Sequence, residues 1–458
     1  MAADSLTAPT PAPAPAPDAR GDRGARGPGW REEARSNVYW GVAHGLPRLM
    51  VRSAARRGDL QGRLMLAPSS GDRIWELFEE ARAHGPLLRS RMSYFTVDHA
   101  VVKEVLSSPD FRTGRPVRDD SLLGRVLDLT TPRVLHPLEP PSLLATEPPD
   151  HTRYRKLVNR VFTVRAVEQL RVRTEEIAHQ LLDALDSAAP ADLIPAYCAL
   201  LPVTVIAEIL GVPPADRNRV HELGSYAAPS LDFGLSWRRF RTVTAGLRGF
   251  DQWLDSHIQD LRRHPGEDLL SQLVEARDEQ GALSDRELKA TAGLVLAAGF
   301  ETTVNLLGNG IALLNRHPEQ LDQLRNQDAL WPNAVDEVLR FDPPVLLTGR
   351  VCARTTTVAG TEVPAGVQMV TALAAANRDP RVFADPGRFD VGRENARDHV
   401  SFSGGRHYCL GASLARMEGE VGLRAITERF PDLRLLPGAG RRPTRILRGY
   451  QTLPARLR

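Results

Sequence analysis

At 458 residues with 42% hydrophobic residues, the chain is long enough to bury a sizeable core, as one large domain or as more than one of average size. A formal net charge of +3 does not suit a nucleic-acid binder, and the three cysteines, Cys198, Cys352 and Cys409, are far apart with no C-x-x-C pair, which speaks against a disulfide framework or a paired-cysteine zinc site. No run of about 18 apolar residues is present, so no membrane-spanning helix is expected, and the N-terminus lacks the basic-then-apolar order of a signal peptide, so the expected location is the cytoplasm.

In chain order, residues 1–36 read as a disordered tail. Ala8 to Pro17 contains only Ala, Pro and Thr, and an Arg-, Gly- and Asp-rich stretch follows to Ser36, a composition that buries too little apolar surface to offset the entropy of ordering. Residues 37–458 read as one large domain. Pro47 is placed to open a helix with Arg48, Arg52 and Arg56 four apart on one stripe and Leu49 and Met50 on other faces. Such a basic amphipathic helix suits an anionic membrane surface, although the commoner arrangement packs it on its own domain with the arginines in solvent.

Helical periodicity continues over Trp75–His84, Arg153–Phe162, Val167–Leu185, Arg238–Leu261, Asp285–Leu314 and Pro318–Phe341, with a Ser284/Glu287 capping box ahead of the long Asp285–Leu314 helix. Strand-like runs are short: Tyr94–Val97, Val351–Val358 and Val367–Thr371. The fold class is therefore mainly α with small β-sheets.

The most informative segment is Phe402-Ser403-Gly404-Gly405-Arg406-His407-Tyr408-Cys409-Leu410-Gly411, a glycine-rich loop that runs into one cysteine and then a helical pattern. A cysteine at a helix N-terminus meets unpaired N–H groups and the positive end of the dipole, which lowers its pKa and favours the metal-binding thiolate. Gly404 and Gly405 allow unusual backbone angles, and Gly411 lets a flat ligand lie close to the backbone.

This loop resembles that of the cytochrome P450 family, whose pattern F-x-x-G-x-H-x-C-x-G is met by Phe402, Gly405, His407, Cys409 and Gly411. Ser403 departs from the Gly that many bacterial members carry after the Phe. The resemblance runs from about residue 70 to the C-terminus. It implies a single large haem-thiolate fold, haem b (iron protoporphyrin IX) held by Cys409, His407 at a haem propionate, and Phe402 near the sulfur. A thiolate on haem iron favours O–O cleavage.

Other segments support the resemblance. Glu337-Val338-Leu339-Arg340 matches the E-x-x-R pattern, with Arg393 as the later partner that the family implies. Ala298-Gly299-Phe300-Glu301-Thr302-Thr303 lies mid-helix, where Thr302 can bond back to the Ala298 carbonyl and Gly299 weakens the helix, so a local opening is expected. Glu301 and Thr302 match the family's acid–alcohol pair for proton delivery. His151 and Arg155, four apart on a helix, are two positive donors suited to a propionate, and Arg350 is a third candidate.

Implied pocket segments are the long loop Phe111–Leu144 with its leucines, Leu223–Leu235, Leu294–Glu301, Val345–Thr348 and Gly449–Thr452, with Phe300, Ala298, Val345 and Tyr450 as lining candidates. Neither a dinucleotide fingerprint nor an iron–sulfur cysteine set is present, so the resemblance implies a separate donor, an acidic ferredoxin with a nicotinamide-dependent reductase. From Arg393 onward there are 13 Arg and no Lys against six acidic residues, and part of this stretch surrounds Cys409, with Arg406 and Arg416 as candidate docking residues.

The function so read is a monooxygenase acting with dioxygen on a small, largely apolar molecule in bacterial secondary metabolism. Alternatives are phenol coupling at the same haem, a non-catalytic haem sensor, which the acid–alcohol pair opposes, and a cysteine hydrolase, for which no carboxylate to orient His407 is evident.

Overall fold

The computed structural model describes residues 30–67, 71–90, 93–114, 121–159, 162–278 and 281–457. Most of the expected tail, residues 1–29, lies outside the described residues, but residues 30–36 are helical rather than tail. The helix Trp30–Trp40 passes through a π turn, Gly41–Gly45, into the helix Leu46–Arg56, which has Pro47 in its first turn as the sequence predicts. Long-range packing orders this segment. Tyr39 and Trp40 join the cluster of Leu235, Phe240 and Val243, and Trp40 Nε1 donates to Leu235 O at 2.9 Å.

The architecture is organised around one 32-residue helix, Asp285–Arg316. The expected capping box is present: Ser284 Oγ accepts from the Glu287 N–H, and Glu287 Oε2 accepts from the Ser284 N–H at 2.7 Å. By length and composition this helix could cross a membrane, but 78% of its most apolar stretch is buried inside the protein, where it is the core. Helices Leu200–Ile209, Trp237–Arg263, Trp331–Phe341 and Ala412–Arg429 pack on it. Gly419 lets the last of these approach closely, since a Cβ there would lie 2.9 Å from Leu306 Cδ2.

The main sheet has five strands in the order Leu88–Arg89, Tyr94–Thr96, Gln368–Thr371, Thr348–Cys352, Phe111–Arg112. Tyr94–Thr96 runs parallel to Gln368–Thr371 and the other pairs are antiparallel, with Met369 opposite Arg350. A second apolar cluster, including Phe78, Phe95, Leu346 and Ala375, joins this sheet to the helix Arg73–Ala83.

Three expected elements differ. Pro318–Phe341 is two helices, Pro318–Asn326 and Trp331–Phe341, because Gln327 is extended (φ −141°) and Pro332, lacking an N–H, starts a helix rather than continuing one. Val351–Val358 is split between Thr348–Cys352 and Thr356–Val358, the latter turning at Ala359 (φ 47°) and Gly360 (φ 76°) to pair with Thr361–Val363. Within the long loop 111–144, Ser121 caps a helix Leu122–Thr130, and the helix turns Leu122 and Leu129 outward, 81% and 71% exposed, while Leu127 is buried. Leu122 and Leu129 therefore do not line an internal pocket.

Candidate active site

The cysteine loop is held at both ends of its turn. Cys409 N–H donates to Phe402 O at 2.9 Å, and Tyr408 N–H to Gly405 O at 3.1 Å. Gly405 is left-handed (φ 62°), and a Cβ there would lie 2.4 Å from Leu106 O, so only glycine fits. Gly404, by contrast, is extended (φ −159°), and the second left-handed residue is Ser403 (φ 62°), whose Oγ accepts from Arg350 Nη2 at 3.3 Å. The departure at Ser403 thus sits at the strained position and is anchored by a candidate cofactor-binding arginine. The ring of Phe402 is buried, with the Arg416 guanidinium 4.6 Å from its centre.

Of the three cysteines, Cys198 and Cys352 are buried and Cys409 alone is exposed. It lies three residues before the helix Ala412–Arg429, with Gly411 at the N-cap. The expected drop in its thiol pKa is not met. Although the residue as a whole is exposed, the protein atoms crowded around its sulfur raise it, and the Gly411 N–H and the charges of Arg155 and Arg416 only partly offset this. The helix end acts in the expected direction but is outweighed by this crowding.

On the central helix, every residue from Ala290 to Leu314 is buried except Leu294, Ala298, Gly299 and Thr302. Leu294, Ala298 and Thr302 are spaced four apart, on one face. Thr302 Oγ1 donates to Ala298 O at 2.9 Å, as predicted, and Thr303 Oγ1 to Gly299 O at 3.0 Å. The expected opening at Gly299 is absent: the helix is continuous, and Gly299 instead makes room for Ile206, whose Cγ1 would lie 3.1 Å from a Cβ there. Glu301 turns away from that face. It is 3% exposed, and its Oε1 is paired with Arg442 Nη1. Burial raises its pKa, and the charge and hydrogen bond of Arg442 pull it back.

The propionate candidates come together. His151 and His407 rings are 4.5 Å apart, Arg155 Nη1 donates to Arg406 O at 3.5 Å, and Arg350 is 5% exposed. One member, Glu147, is not among the residues that the sequence singles out. Glu147 accepts from Arg406 Nη1 at 2.8 Å and lies 3.1 Å from His407 Nε2. His151 is not the positive donor expected: burial first, then His407 and Arg155, lower its pKa to about 4. Burial, with the charge of Arg406, also lowers that of Arg350, to about 10. His407 is lowered by burial, against the pull of Glu147.

Haem b fits this donor set. Cys409 supplies the sulfur, the Ala298–Thr302 face offers an apolar and hydroxyl surface, and a Cβ on Gly411 would meet nothing within 4 Å, leaving space for a flat ring. Among the described residues Glu147 pairs with Arg406 and His407, while Arg155 and Arg350 form no ion pair, so two propionates would supply anions to this cluster.

The pocket candidates separate. Ala298 is exposed on the Thr302 face, and Val345 is half-buried, bridged to Leu447. Phe300 is not with them: two residues along from Ala298 it points to the other side of the helix, 1% exposed, against His221 and Gly224. Tyr450 is structural, its hydroxyl accepting from Arg316 Nη2 at 3.0 Å and Arg441 Nη2 at 3.4 Å. The basic C-terminal stretch also reads differently in three dimensions. Arg393, Arg416, Arg424, Arg429, Arg441, Arg442 and Arg448 are ion-paired, so its excess charge is largely used within the fold.

Behind the cysteine loop lies the Glu337–Arg340 pair, both side chains fully buried, with Arg393 Nε 3.3 Å from Glu337 Oε2 as predicted.

Comparisons with known proteins point to one family. The family model described as Cytochrome P450 matches residues 233–447. The chain is 51% identical over 428 residues to the Mycobacterium tuberculosis protein called cytochrome P450 140, covering 92% of this chain and 98% of that protein. It is 40% identical over 316 residues to 6-deoxyerythronolide B hydroxylase of Saccharopolyspora erythraea, covering 68% and 77%. Among solved structures it is similar to P450BioI in complex with a hexadec-9Z-enoic acid ligated acyl carrier protein, with a TM-score of 0.76 and 30% identity over 84% of this chain and 98% of that one.

Proposed function

The chain belongs to the cytochrome P450 family, haem-b monooxygenases, and from that premise we propose that it hydroxylates a small, largely apolar molecule in bacterial secondary metabolism. The named activity of the Saccharopolyspora relative supports the reaction type. The observation that carries the reading is the division of labour on the central helix, where Thr302 presents its hydroxyl on the Ala298 face while Glu301 is buried against Arg442.

Bound haem iron, held by Cys409, supplies the activation of dioxygen. The chain's own residues do the rest. Thr302 gives its proton to Ala298 O and so keeps its lone pairs free to accept at the reacting side. Glu301, its pKa raised by burial, is the proton reservoir one residue away. His151, Arg155, Arg350 and His407 anchor the propionates and fix the ring. Leu294 and Ala298 exclude water from the substrate side.

In this reading electrons come from an acidic ferredoxin and its nicotinamide-dependent reductase, and the protein works in the cytoplasm. Docking falls to cations left exposed near the cysteine loop. Arg397, with 76% of its side chain exposed and 3.7 Å from Asp336, is a better candidate than Arg416, which is 21% exposed and held to the same carboxylate at 2.7 Å. Arg406 remains a candidate despite its pair with Glu147.

The test is a spectral ligand screen followed by turnover under labelled dioxygen. One labelled atom per product molecule is expected, and unlabelled product would overturn hydroxylation.

A further inference from the structure

The helix Leu46–Arg56 has two apolar faces. Val51 and Ala54, 2% and 4% exposed, fix it to the domain. On an adjoining face stand Leu46, Leu49 and Met50, exposed by 51%, 64% and 49%, with Ser53 completing an i, i+3, i+4, i+7 stripe. Three large apolar side chains in one row facing water mark an interaction site rather than scattered surface residues.

The charge around this stripe has one sign. Residues 46–57 carry Arg48, Arg52, Arg56 and Arg57 and no acidic residue. Among the described residues, none of these four arginines forms an ion pair. They crowd other cations instead: the pKa of Arg445 is lowered by burial and, against the pull of Asp232, by Arg48, Arg239 and Arg52. Further exposed apolar side chains adjoin the same helices. Leu129 is 71% exposed, and its carbonyl accepts from Arg35. Phe233 is 36% exposed, next to Gly234, where a Cβ would lie 3.4 Å from Arg48 Cβ.

We propose that this face docks on an anionic lipid membrane, the apolar stripe entering the headgroup–acyl boundary and the arginines pairing with lipid phosphates. Charge complementarity selects this occupant. A second copy of the chain would set arginine against arginine. Residues 1–29 offer only Met1 and Leu6 as large apolar residues, and their three Asp balance their three Arg, so they supply neither the apolar bulk nor the negative charge. The side chains also stand out from a convex helix rather than lining a groove, which suits insertion into lipid better than a protein's anchor residue in a pocket. The helix Trp30–Trp40 leads into this face and anchors it to the domain, its Tyr39 and Trp40 packing on the cluster of Leu235, Phe240 and Val243.

The experiment is flotation of the full-length holoenzyme with vesicles containing phosphatidylglycerol, and with vesicles of phosphatidylcholine alone. Binding to the first is expected to exceed binding to the second at least about tenfold and to weaken at high salt. L49D/M50D and R52E/R56E should each lower the partition at least about tenfold, while R263E, on a distant exposed arginine, leaves it unchanged. An unaltered haem spectrum in each variant shows that it is folded. Wild-type protein that stays off phosphatidylglycerol vesicles at low salt would overturn the proposal, as would variants that float like wild type. A dimer dissolved by L49D/M50D, with no vesicle binding, would assign the face to a second copy instead. None of these readouts involves turnover, so their failure leaves the monooxygenase reading in place.

Discussion

The two sides of the site are built to different rules. Behind the cysteine loop, polar groups are fully partnered. Arg340 uses all five of its N–H donors: two on Glu337 at 2.6 and 2.7 Å, and one each on Asn377 O, Pro386 O and Arg388 O at 3.0–3.1 Å. Along the central helix, buried polar atoms stand without partners among the described residues: Thr291 Oγ1, Glu301 Oε2, both polar atoms of Asn305 and, on the facing helix, Glu418 Oε1. A ligand-holding side gains from a closed, rigid network. A proton-handling side needs groups whose bonding is incomplete, because a fully satisfied carboxyl or amide has nothing to exchange.

The largest effect is expected from breaking the closed side. Arg340→Ala leaves Glu337 charged and fully buried, with only Arg393 at 3.3 Å and the Asp390 N–H at 2.9 Å as partners, and should cost about 3–5 kcal/mol, read as a fall in the denaturation midpoint together with poor haem retention. A loss below about 1 kcal/mol would mean that the network is not what holds the loop.

On the open side the effect moves from folding to chemistry. Thr302→Ala should keep the haem and the midpoint but divert reducing equivalents to hydrogen peroxide, lowering coupled product formation by about a hundredfold at most and tenfold at least. Unchanged coupling would take Thr302 out of proton delivery.

The contrast also sharpens through pH. Burial raises the Glu418 pKa from 4.5 to about 8. A carboxyl raised in the folded state contributes stability that is full below 4.5 and is lost as pH rises through about 8. Glu418→Gln, which cannot ionise, should therefore gain stability relative to wild type as pH rises from 4.5 to about 8 and keep that gain above it, seen as denaturation midpoints that diverge over this window. Parallel curves would show that Glu418 does not titrate in this range.

What was legible in the sequence was local. The cysteine loop, the E-x-x-R pair, the Ser284/Glu287 box and the Thr302 bond to Ala298 depend on spacings of ten residues or fewer, and each is found in the structure. What was not legible depends on chain segments that meet in space. Arg442 reaches Glu301 across 141 positions, and Glu147 reaches Arg406 and His407 across 259 and 260. The helix at residues 30–36 and the outward turn of Leu122 and Leu129 likewise follow from tertiary packing that composition does not carry. Phe300 was misplaced for a simpler reason: adjacency to Glu301 in sequence is about 100° of rotation on a helix.

The central claim is that the sulfur of Cys409 holds the haem iron, and the most direct measurement is the absorption spectrum of the ferrous–carbonyl complex. The wild-type protein should show the long-wavelength band of thiolate ligation, Thr302→Ala should retain it, and Cys409→Ser should lose it. A wild-type band at the short-wavelength position of nitrogen-ligated haem, or a long-wavelength band that survives Cys409→Ser, would contradict the account.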